Sequence, residues 1–176
     1  MNVDIIFFNS DFKNKEEFIS DEDKFQEYIF THSFEAKFNE LLFFPPSLSK
    51  MNNKALLVGS GDEDIKNEDM LELGYSIGAK LDESCELNIY NLEEGSKPLI
   101  LGILLSQYNF DKYDSGDKKE EIKITFSKSI DYESNLSKRD VIFWVRNLIN
   151  TPALDRSPEY FIKEVESISS NKDINI

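Results

Sequence analysis

Lys54-Ala-Leu-Leu-Val-Gly-Ser-Gly61, followed by Met70-Leu-Glu-Leu-Gly-Tyr-Ser-Ile-Gly-Ala-Lys-Leu81, decides the fold. The first segment is a short apolar run that stops at a glycine turn, as a strand does. In the second, Met70, Leu73, Gly74, Ile77 and Leu81 recur at helical intervals and make one apolar face. Gly74 and Gly78 would let that face approach a neighbour closely. A strand leading through glycines into an amphipathic helix is the repeating unit of a layered α/β sheet.

Working outward, Val3 to Asn9 (VDIIFFN) is β-branched and aromatic, is bounded by Ser10 and Asp11, and reads as a buried strand. Phe25, Tyr28 and Ile29 place a helix between Asp21 and His32, with Asp21-Glu22-Asp23 as its acidic first turn. Glu40 to Phe44 reads as a strand that Pro45-Pro46 must stop, because proline has no ladder donor. Glu86 to Leu92 alternates as a strand does. Lys97 to Tyr108 is a helix apolar nearly all round, which must be covered on most sides. Glu121 to Ser127 has period two with charged members, which suits a half-exposed strand.

From Asn135 the pattern is wholly helical. Val141, Trp144, Val145 and Leu148 form one stripe, and the helix halts near Asn150-Thr151-Pro152. A second helix starts with Ser157 as N-cap and Pro158 in the first turn, and Phe161, Val165 and Ile168 make its apolar side. The expected architecture is an α/β domain over residues 1–133, a mixed sheet with helices on both faces. A helical linker over 134–176 follows it. There is no internal repeat and no low-complexity tract.

The chain has 176 residues, 40% of them apolar, and can bury a core without disulfides or a structural metal. Its lone Cys85 suits a buried small hydrophobe and a reducing compartment. The amino terminus has no basic flank or cleavage site, and no apolar stretch nears the roughly 18 residues that span a bilayer; the longest, Pro98 to Leu105, reads as a buried helix. A cytoplasmic protein is expected. The net charge of −14 repels phosphate backbones and anionic lipid, so neither nucleic acid nor membrane is expected as a partner. Such acidity suits a solvated surface better than one specific cationic partner.

Candidate sites fail on donor type or spacing. A zinc site of the usual kind needs several His or Cys ligands, and the chain has one of each, His32 and Cys85. The acidic clusters Asp21-Glu22-Asp23 and Asp62-Glu63-Asp64 read as solvated surface. A calcium-loop imitation from Asp111 has Gly116 at its sixth position, but Ile122 stands where a bidentate Glu is required. Gly59-Ser60-Gly61 invites a phosphate-loop reading, yet Asp64 occupies the third fingerprint position, and three acids would crowd the phosphate. A structural turn is the better reading, with a nucleotide or ADP-ribose site as the alternative. Nothing near Cys85 would lower its pKa, and no G-x-S-x-G elbow exists. His32 reads as a surface or capping residue. No catalytic, cofactor-binding or metal-binding residue is expected in this chain.

Two strings of residues carry a resemblance. Gly102-x-x-Leu105-x-x-Tyr108-x-Phe110-x-x-Tyr113 precedes Trp144-Val-Arg146-Asn-Leu148-Ile-Asn150-Thr-Pro152 and then Ser157-Pro158-Glu159-Tyr160. With the strand and turn Ala55 to Gly61, they resemble the amino-terminal domain of the leucine aminopeptidases, also called cytosol aminopeptidases. The likeness runs from about Asn53 to Phe161. It is faint before that, where Phe34 to Glu40 lacks glycines that the family often has, and Asn147 stands where the family usually has an acid. The resemblance implies a macro-domain-like α/β sandwich that flanks a catalytic domain and helps assemble or shield a hexamer. It places two divalent metal ions, manganese or zinc, in that catalytic domain, which would begin near residue 170. The complete enzyme would remove amino-terminal residues from peptides, and this chain alone would be inactive. A free-standing macro-domain-like module that binds a nucleotide near Gly59 to Gly61 is the alternative.

Overall fold

The computed structural model describes residues 2–51, 53–62, 65–91, 97–113, 122–127 and 130–169. At its centre β1 (Asn2–Phe8) pairs in parallel with β3 (Lys54–Gly59) on one side and β4 (Cys85–Tyr90) on the other. β2 (Leu41–Phe44) joins β3 antiparallel and β5 (Ile124–Phe126) joins β4 in parallel, so the mixed sheet runs β2-β3-β1-β4-β5.

The alternation of β1 explains its central place, because both of its faces are apolar. Val3, Ile5 and Phe7 join Leu56, Val58 and Leu87 in one core layer, covered by α2 (Asn67–Lys80) and α3 (Lys97–Leu105). Ile6 and Phe8 join Ala55 and Leu57 in the other, covered by α1 (Glu22–Thr31) through Phe25 and Ile29 and by Phe18 and Ile19. Phe8, Phe12, Phe18, Phe25 and Phe44 pack there edge-on or tilted, with ring centroids 5.6 to 6.3 Å apart. Helices therefore cover both faces, as expected.

Gly74 and Gly78 do bring α2 into close contact with α3, and Gly102 answers them from the other side. A Cβ at Gly74 would overlap the Leu99 carbonyl, one at Gly78 the Ser106 side chain, and one at Gly102 the Leu71 carbonyl. α4 (Glu133–Asn150) packs outside α3, and buried Asn135 donates to the Lys97 carbonyl at 3.0 Å. In α5 (Pro158–Ser169) the Ser157 hydroxyl accepts from the Tyr160 amide at 3.2 Å, which is the cap read from the sequence.

Several boundaries differ from expectation. The helix read to Tyr108 ends at Leu105. There Gln107 and Tyr108 bond to carbonyls three residues back, and the chain tightens and leaves α3. α4 begins at Glu133, two residues before Asn135. The strands read over 86–92 and 121–127 are Cys85–Tyr90 and Ile124–Phe126; Leu92 and Glu121 lie outside the described residues. The single turns of 3-10 helix at Lys15–Glu17 and Pro46–Leu48 are too short to leave a periodic signal.

A carboxyl group enters the sheet's core. Asp4 of β1 is fully buried, and its Oδ1 accepts from Asn53 Nδ2 at 3.2 Å and from Asn88 Nδ2 at 2.8 Å. Its Oδ2 has no partner among the described residues.

Candidate functional site

In open α/β sheets ligands sit beyond the carboxyl ends of the parallel strands. Here that place holds a cavity of about 500 Å³, lined by Ser10, Glu35, Lys37, Phe38, Asp62 and Asp69 among others. The Gly59-Ser60-Gly61 turn forms part of its wall, and its backbone amides are already used. Gly59 N–H donates to the Glu40 carbonyl at 2.8 Å, Ser60 N–H to Phe8 at 2.8 Å, and Gly61 N–H to Ala36 at 3.1 Å. Gly61 has φ 67°, which favours glycine, and at Gly59 a Cβ would run into the Ala36 and Lys37 backbone. The two glycines thus serve the close packing of strand β3 against residues 34–40, not an anion.

That facing segment is tightly built although it lacks glycine. Ser33, Ala36 and Asn39 have φ of 54°, 56° and 65°, a conformation that costs a residue such as alanine about 1–2 kcal/mol. Glu40 supports it by accepting from the Glu35 amide at 2.8 Å and the Lys37 amide at 3.1 Å. Lys37 pairs with Glu35, which raises the lysine pKa. Asp62 accepts from the Ser10 amide at 3.0 Å, and hydrogen bonding to Ser10 holds its carboxyl below the usual range. With Glu35, Asp62 and Asp69 around it, the cavity disfavours a phosphate; Glu63 and Asp64 lie outside the described residues.

The other candidates fall apart in space. His32 is the C-cap of α1: its Nδ1–H donates to the Tyr28 carbonyl at 2.8 Å and its ring lies on Tyr28. Asp21 caps the start of the same helix by accepting from the Lys24 amide at 3.2 Å. Cys85 is buried, and desolvation pushes its thiol pKa up. Residues 114–121 of the calcium-loop imitation lie outside the described residues. Among the described residues no three His, Cys, Asp or Glu side chains converge to hold a metal. Among the described residues, the donor set therefore does not fit a two-metal centre. No helix among them is long and apolar enough to cross a membrane.

What the structure does bring together is the pair of strings that carried the resemblance. The Tyr108 hydroxyl donates to Asn147 Oδ1 at 3.0 Å and accepts from Asn150 Nδ2 at 2.9 Å. The Arg146 guanidinium lies 5.2 Å from the Tyr108 ring centroid, and Phe143 meets the same ring at 5.1 Å. Farther along, the Tyr113 hydroxyl donates to Asp155 at 2.6 Å, and Lys112 lies 4.6 Å over the Tyr160 ring. The segment leaving α3 is thus a latch on α4 and on the turn into α5. An acid at position 147 could accept from Tyr108 as Asn147 does, so that departure leaves the latch intact. Sequence reading noted these residues one string at a time and missed that they meet, since nothing in one-dimensional spacing says that residues about forty positions apart touch.

No family model matches the chain. A probable cytosol aminopeptidase of Clostridium perfringens is 35% identical over an alignment of 94 residues, which covers 45% of this chain and 18% of that relative. Among solved structures, the bottromycin maturation enzyme BotP matches with TM-score 0.73 and 13% identity, over 98% of this chain and 38% of its own; it has also been solved in complex with Mn. Cytosol aminopeptidase from Coxiella burnetii matches with TM-score 0.69 and 18% identity, over 98% and 36%. A mutant of tomato leucine aminopeptidase matches with TM-score 0.65 and 13% identity, over 97% and 39%. The mixed five-stranded sheet and its helices are the fold of the leucine aminopeptidase amino-terminal domain. Sequence match and fold together support an amino-terminal domain of the leucine aminopeptidase family. The chain spans less than a fifth of the curated relative and under two fifths of these solved neighbours.

Proposed function

We propose that this chain acts as the non-catalytic amino-terminal domain of a metal-dependent leucyl aminopeptidase in the cytoplasm. In this reading residues 1–133 form a macro-domain-like body and residues 134–176 lead to a catalytic domain. The domain helps assemble or shield an oligomer, a hexamer by resemblance, of an enzyme that removes amino-terminal residues from peptides. The observation that carries the reading is the latch. Tyr108, Arg146 and Asn150, which with Asn147 hold the linker helix to the body, are among the residues on which the family likeness rests. Any manganese or zinc would belong to the catalytic domain, because the donors described here do not converge.

The alternative, a free-standing nucleotide-binding module, is weakened by the amides of residues 59–61, which already have partners. Two measurements test the reading. The chain, repurified and supplied with manganese or zinc, should hydrolyse no leucine amide; turnover that survives repurification and stops with chelator would overturn it. Titration with ADP-ribose should release no more heat than buffer, and saturable binding would favour the alternative.

A further inference from the structure

We propose that the apolar strip running from α4 onto α5 is the seat of the catalytic domain, an inference that rests on the aminopeptidase reading and names the surface it uses. Val141, Val145 and Ile149 recur every four residues on α4 and are 52%, 41% and 66% exposed. They face away from the body, because the opposite side of α4 carries Phe143, packed on Tyr108, and Asn150, which donates to the Tyr108 hydroxyl. The strip continues onto the next helix. Phe161 and Ile162 are more than half exposed, and a groove of about 440 Å³ lined by Leu148, Ile149, Pro158 and Phe161 joins the two helices. Leu154, in the turn between them, is almost fully exposed.

α5 itself indicates that something covers this strip. It is a helix of 12 residues with no extensive contact to any other described element, held at its start by the Ser157 cap and the Lys112 contact with Tyr160. A helix of that length is marginal alone in water and relies on burying its apolar side. The occupant follows from the comparisons. The solved neighbours carry over three fifths of their length outside the part that this chain matches, and the chain resembles an amino-terminal domain of their family. A catalytic domain seated on the strip would fill the groove with apolar side chains, whether it follows α5 in one polypeptide or comes as a separate chain.

The test titrates the full chain with the catalytic portion of the related clostridial aminopeptidase and compares V145D, I162D and F30D. Phe30 is 85% exposed on α1, across the sheet, so F30D adds the same charge elsewhere. The wild type and F30D should bind alike, while V145D and I162D should each weaken binding at least about tenfold with unchanged thermal melting. Tenfold corresponds to about 1.4 kcal/mol, which one apolar anchor of this kind supplies when buried. Binding by V145D and I162D equal to wild type would overturn the surface and leave the partner standing. No binding by the wild type would overturn the partner as well. A dimer of this chain that V145D dissolves would assign the strip to a second copy and also overturn the proposal.

Discussion

Replacing Gly74 by alanine should force α2 away from α3. Helix propensity alone favours the change by about 1 kcal/mol, so a surface glycine at this position would make the variant more stable. Packing opposes it. A Cβ at position 74 falls on the Leu99 carbonyl and 3.0 Å from Leu99 Cα, where ordinary contact is 3.4–4 Å. The obstacle is backbone, which no rotamer change can move aside, so the helices must part by a sizeable fraction of an ångström. A gap of roughly 0.5–1 Å forfeits a quarter to a half of each dispersion contact across it. Leu73, Ile77, Leu99, Ile100 and Ile103, all buried, line that seam. Overpacking of this kind costs about 3 kcal/mol, the upper part of its usual range. After the propensity gain, a loss of about 2 kcal/mol remains. For a chain of this size that lowers Tm by about 4–8 °C. Thermal melting followed by circular dichroism measures it, with Glu72→Ala on the exposed side of α2 as the control that should melt at or above wild type. If Gly74→Ala also melted at or above wild type, the close approach of the two helices would be wrong.

Other variants read other parts of the structure. Tyr108→Phe removes both hydroxyl bonds of the latch and should cost about 1 kcal/mol, seen as faster amide exchange in the last turns of α4; Asn147→Asp should keep those amides protected, and equal exchange in all three proteins would rule the latch out. The Asp62 carboxyl has a lowered pKa in the folded state, so its stabilising effect is present above the ordinary aspartate value of 3.8 and fades as pH falls through its lower folded value. The stability gap between wild type and Asp62→Ala should therefore be flat from about pH 5 to 8 and close in acid; a gap that widened in acid would contradict the bond to Ser10. Burial and a raised pKa make Cys85 a poor nucleophile, so its reaction with a thiol reagent at pH 8 should wait for unfolding, and rapid labelling of the folded protein would contradict its place in β4.

β1, β3 and the apolar face of α2 are legible in the sequence because each carries its own period, and burial reinforces that period on every residue. Strand order is not legible. β1 lies between β3 and β4 because both of its faces are apolar, but a list of apolar strands does not say which pair. Nor is the end of α3 legible, since Ser106 and Gln107 look as helical as the residues before them and only the departure toward α4 stops the helix. At the cavity, the spacing of acids around Gly59 to Gly61 argued against a phosphate on charge. The stronger reason, that the amides are taken by Ala36, Glu40 and Phe8, depends on contacts that span up to about fifty residues of chain. Ala36 and Asn39 adopt positive φ without glycine, so the usual sign of a tight turn is missing from the segment that does the closing.

Asp4 acts on the alignment of the whole sheet. The faces of IIFF in β1 and ALLV in β3 are apolar throughout, so sliding β1 by two residues would keep every side chain on its own side and leave the hydrophobic layers almost unchanged. Such a slide would set Asp4 opposite Glu86 or Tyr90 and take it from Asn88. A buried carboxyl stripped of its partners costs about 1–3 kcal/mol, and more when charged. The one polar side chain in β1's apolar run therefore works as a keying pin. It adds little to cohesion, but it makes the in-frame stacking of the parallel strands distinguishable from its near copies two residues away.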